Sequence, residues 1–144
     1  MRIYVSAMET DVVGRPRFDS QAADLLARLS AIGYIVVWEK QHRGYDVIEK
    51  DIAASDALLA IVDTTWTAST WMMSEVTWAA GDFGAVETPN SRMTPIPTLL
   101  YPVMPNALMR CPFNYREPAV LLDRDVEKAV AQIMEKMPLR REGQ

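Results

Sequence analysis

The segment Ala57-Leu58-Leu59-Ala60-Ile61-Val62 is an apolar run with no polar break. A strand with one face in water alternates apolar and polar side chains. A short unbroken run fits a strand covered on both faces, as in a parallel sheet. The run stops at Asp63-Thr64-Thr65, a polar strand terminus. Tyr34-Ile35-Val36-Val37-Trp38 has the same character, and Thr98 to Tyr101 is a shorter version with Ile96 as an alternative start. Arg2 to Ser6 and Ala119 to Leu122 supply the first and last strands.

Helical spacing fills most of the intervals. Ala22, Leu25, Leu26 and Leu29 predict a helix from Phe18 or Asp19 to about Ala31, with Gly33 as its stop. Val47, Ile48 and Ile52 mark the inner side of a second helix, Tyr45 to Ser55. A third is expected from about Trp71 to Gly81, capped within the hydroxyl-rich stretch Thr67 to Thr70. The last runs from Asp123 to about Met137, with Val126, Ala129, Val130, Ile133 and Met134 inward. Strands alternating with helices call for an α/β three-layer sandwich, and right-handed crossovers make it doubly wound. Prolines 89, 95, 97, 102 and 105 shape long loops beside one sheet rather than a linker. Residues 1–137 are read as a single domain and 138–144 as a flexible tail.

Composition narrows the function classes. Hydrophobic residues make up 49% of the 144 and charged residues 24%, as in a globular domain. The net charge of -4 argues against nucleic acid as a partner, because phosphate backbones require a concentrated basic surface. Arg15, Arg17, Arg140 and Arg141 are too scattered to make one. Cys111 is the only cysteine, so no intrachain disulfide can form, which fits a reducing compartment. The chain opens directly on a strand pattern without signal-peptide layout, and no apolar run approaches membrane-spanning length. A cytoplasmic protein with no membrane partner is expected.

In open parallel sheets, ligands bind beyond the carboxyl ends of the strands. Here those ends are Ser6 to Glu9, Glu39 to His42, Asp63 to Glu75 and Tyr101 to Asn106. No glycine-rich dinucleotide turn and no phosphate-loop lysine motif is present. Ser69 and Thr70 suit either a turn and cap or a phosphate held at a helix start. Glu75 falls about one turn into the third helix, beside Trp71, Met72, Val76, Trp78 and Ala79. It reads either as a first-turn acid balancing the helix dipole or as a catalytic carboxylate tuned by apolar neighbours. His42, the single histidine, reads as a surface loop residue, and with one distant cysteine it makes no metal cluster. Trp66, Trp71 and Trp78 are core or pocket-wall candidates able to stack on a base. No metal and no cofactor is expected.

Four features of the first 80 or so residues resemble the nucleoside 2-deoxyribosyltransferases and their relatives that hydrolyse nucleoside 5'-monophosphates. Arg2-Ile3-Tyr4-Val5-Ser6-Ala7 looks like the family's first strand and substrate loop. Trp38-Glu39-Lys40-Gln41-His42 falls where relatives have an acid and a histidine after strand two. The stretch Asp51 to Ala60 resembles the helix end and third strand, and Ser69 and Glu75 match the spacing of a phosphate-contacting serine and catalytic glutamate. The resemblance implies strand order 2-1-3-4-5, Rossmann-like or flavodoxin-like, in a five-stranded, mainly parallel sheet. It implies that Glu75 attacks C1' of the sugar as the base leaves, with Tyr4 orienting it. Ser6 and Ser69 would hold a phosphate or sugar hydroxyl, and Trp38, Trp66 or Trp71 would wall the base; Ala7, His42 and Thr70 are further substrate-binding candidates, and Asn114, ahead of Asn106, is the candidate to reach a sugar hydroxyl from a late loop. The partner would be a small nucleotide or nucleoside, and the protein would form a homo-oligomer.

Several positions depart from the family pattern. Relatives carry an acid eight residues before the position of Asp56, where this chain has Ile48; Asp46 is the expected substitute, with Glu49 as an alternative. Trp71 and Met72 replace a glycine-containing loop. Ser69 stands where the transferase branch has an aspartate, which points to the hydrolase branch. A nucleotide-sensing or protein-interaction module without catalysis is the first alternative. The second is an interleukin-receptor-type signalling domain that cleaves NAD, which Asp56 to Leu59, Ser69, Trp71 and Glu75 also resemble.

Overall fold

A computed structural model describes residues 1–6, 20–38, 50–62, 96–103 and 119–139. Five strands form one sheet: β1 (Arg2–Ser6), β2 (Ile35–Trp38), β3 (Ala57–Val62), β4 (Thr98–Pro102) and β5 (Ala119–Leu121). The order is β2-β1-β3-β4-β5, and all four pairings are parallel. Among the described residues, two helices accompany them, α1 (Ser20–Ile32) and α2 (Val126–Lys136), and residues 50–53 form a further helical segment.

The register sorts the side chains by face. Ile3 pairs with Ala57, and Val5 with Leu59, which in turn pairs with Leu99. With Ile61 and Tyr101 they form the first face, packed against Ala22, Leu25 and Leu29 of α1 and Val126, Ala129 and Ile133 of α2. Both helices therefore cover the same side of the sheet. Tyr4, Ser6, Leu58, Ala60, Val62, Thr98 and Leu100 occupy the alternate positions and are buried as well. The Arg2 side chain lies on this second face, and its ion pair with Asp51 places the 50–53 segment there. Burial of both faces is what a run such as Ala57–Val62 requires, since none of its side chains can satisfy water.

Several boundaries differ from the sequence expectation, for local reasons. Tyr34 is not in β2. Its amide donates to the carbonyl of Leu29 at 3.1 Å and so closes α1, while Gly33 turns the chain at φ 118°. Leu122 lies just past β5, although its amide still reaches the Leu100 carbonyl at 2.9 Å. Asp123 does not start α2. Its carboxylate accepts the amide of Asp125 at 2.8 Å, a turn of the Asx kind, and the helix begins at Val126. β4 gains Pro102, opposite Val62, and pairing resumes when the Val103 amide donates to the Val62 carbonyl. Leu139 packs against the core and comes within 3.5 Å of where a Cβ on Gly33 would lie.

Gly33 carries a clear prediction. Its positive φ is open to glycine and strained for any L side chain, while the nearest atom would be in ordinary contact. Gly33→Ala is expected to lower stability by about 1–3 kcal/mol through the backbone alone. A urea titration that finds no loss contradicts this termination of α1.

Tyr34 gives a second. Its ring is 3% exposed and its hydroxyl donates to the carbonyl of Met137 at 2.6 Å, joining the start of β2 to the end of α2. Burial pushes the hydroxyl pKa up. Only the neutral hydroxyl can donate, so the bond's contribution is complete below the ordinary tyrosine value of about 10 and fades as pH rises through the folded value. Tyr34→Phe is expected to cost about 1 kcal/mol at neutral pH. The gap between the two proteins should narrow in alkaline urea titrations; a gap independent of pH would contradict this account.

Candidate functional site

The chain leaves β1 toward β2 on one side of the sheet and returns through β3 on the other. The order β2-β1-β3-β4-β5 therefore reverses direction between β1 and β3. This is the switch point at which open α/β sheets bind ligands, beyond the carboxyl ends of the strands. Ser6 is the last residue of β1 and pairs with Ala60, whereas β3 continues to Val62. The carboxyl edge thus steps up by two residues, roughly 7 Å, between the two central strands.

Tyr4 and Ser6 are the two predicted site residues whose side chains the structure describes. They share the second face of β1, on the side away from α1 and α2. Both are almost fully buried, at 2% and 1% exposure. Two residues apart on an extended strand, their side chains project from the same face beside the switch point. The local sequence explains it: Ile3 and Val5 use the other face to anchor the strand in the core, which commits Tyr4 and Ser6 to this one. Trp38 ends β2, where its backbone pairs with Val5. Ala7, His42, Asp46, Trp66, Ser69, Thr70, Trp71, Glu75 and Asn114 lie outside the described residues.

The two described acids of this region, Asp51 and Asp56, are engaged at the other end of β1. Asp51 pairs with the Arg2 guanidinium at 3.7 Å, and its carbonyl accepts the Ser55 hydroxyl at 2.7 Å. Asp56 holds the Arg2 backbone from both sides: its carboxylate accepts the Arg2 amide at 2.7 Å, and its own amide donates to the Arg2 carbonyl at 2.8 Å. Arg2 and Ser6 are four residues apart on an extended strand, about 13 Å. Asp51 is thus a partner of the amino end of β1, and a carboxylate serving a ligand at Ser6 must come from elsewhere. Asp56 sets the register between β1 and β3, a role its place just before a buried strand could have suggested.

The Arg2–Asp51 pair is partly exposed, so its contribution to stability is small. Among the described residues, no three His, Cys, Asp or Glu side chains gather in a way that could hold a metal ion. Among the same residues, no helix is long and apolar enough to cross a membrane. No protein-family model matches the chain, and no curated protein matches it significantly.

Proposed function

We propose that the protein cleaves the N-glycosidic bond of a nucleoside 5'-monophosphate, with Glu75 as nucleophile, in the manner of the nucleoside 2-deoxyribosyltransferase family's hydrolase branch. The observation that supports this reading is the placement of Tyr4 and Ser6. Both sit on one face of β1 at the switch point of a sheet ordered 2-1-3-4-5. The resemblance assigns these same two residues to the orienting hydroxyl and the substrate contact. The Rossmann-like or flavodoxin-like character of the sheet belongs to this proposal.

The reaction runs in two displacements. A carboxylate oxygen of Glu75 bonds to C1' as the bond from C1' to the base nitrogen breaks, and its electron pair leaves with the base. Asp46 is the proposed helper carboxylate in place of the family acid replaced by Ile48. Water then attacks C1' of the ester, giving its proton to a base and releasing the sugar phosphate and the Glu75 carboxylate. A second nucleobase in place of water would make the reaction a transfer. Positive charge develops on the sugar in both steps, and a carboxylate beside it lowers both barriers. Tyr4 orients Glu75, while Ser6, with Ser69, holds the phosphate.

Ser6 allows a test of substrate class. Base release is compared between a nucleoside and its 5'-monophosphate, in the natural protein and in Ser6→Ala. A hydrogen bond to a charged group contributes about 1.5–3 kcal/mol, so the KM for the monophosphate should rise about tenfold to a hundredfold. The nucleoside should be little affected. Equal loss on both, or none on either, removes Ser6 from the phosphate site.

A further inference from the structure

We draw no further inference here: the strongest candidate, the exposed apolar patch of Met1, Ile32 and Ile35 beside the outer strand β2, carries nothing because nothing in the structure shows what covers it.

Discussion

Glu75→Ala is expected to lower base release by about a thousandfold or more while leaving the melting temperature close to that of the natural protein. Removing a nucleophile removes the covalent route itself, so the loss is far larger than that of a binding contact. Glu75→Gln should be nearly as inactive. It keeps the shape and hydrogen-bonding reach of the side chain but offers no anionic oxygen to C1' and no charge to the developing cation. The pair of variants separates chemistry from packing. If glutamine retained most of the activity, Glu75 would be a structural or dipole-balancing residue, the other reading its sequence position allows. If both variants bound substrate normally and the natural protein had no turnover to lose, the chain would be the nucleotide-sensing module that Ile48 and the Trp71-Met72 pair suggest.

Leu59→Ala should produce the largest loss of stability among single core substitutions. Leu59 is fully buried in the central strand, between Val5 of β1 and Leu99 of β4, and belongs to the cluster that α1 and α2 close over. Deleting its isobutyl group removes transfer energy and leaves a cavity bounded by strands on both sides, which cannot collapse without breaking the ladder. The expected cost is about 2–5 kcal/mol. Domains of this size hold about 5–15 kcal/mol in total, so the denaturant midpoint should fall steeply, with an unchanged slope. The same change at Leu121, which is 48% exposed on the outer strand β5, should cost far less. Similar midpoints for the two variants would contradict the placement of the core.

The parallel sheet was legible because β3 is apolar throughout and β1 is short and β-rich, so burial on both faces was the simplest reading. The strand order came from the resemblance and agrees with the observed pairing. Tyr34 was harder. An aromatic residue after a helix-stopping glycine looks like the start of a strand, yet its amide belongs to the α1 terminus and its hydroxyl to the end of α2. Asp123 misled in the same way, since an aspartate before an apolar stripe suits both a helix cap and an Asx turn. Side-chain hydrogen bonds decide between such options, and hydrophobic periodicity carries no information about them.

For the site, the sequence alone could place Tyr4 and Ser6, because alternation along β1 determines their face once Ile3 and Val5 are committed to the core. It could not separate Asp51 from the other acids of the helix expected from Tyr45 to Ser55. That distinction depends on Arg2, which lies 49 positions earlier in the chain and meets Asp51 only when β1 and β3 pair. The roles of Glu75, Asp46, His42 and the tryptophans rest on the resemblance.

The most direct test is chromatographic detection of free base after incubating the full chain with a panel of nucleosides, nucleoside 5'-monophosphates and NAD, with Glu75→Ala beside it. Base release from at least one nucleoside 5'-monophosphate is expected of the natural protein, and none above background of the variant. Binding without release from any member of the panel, or release of nicotinamide from NAD alone, would contradict the proposed activity.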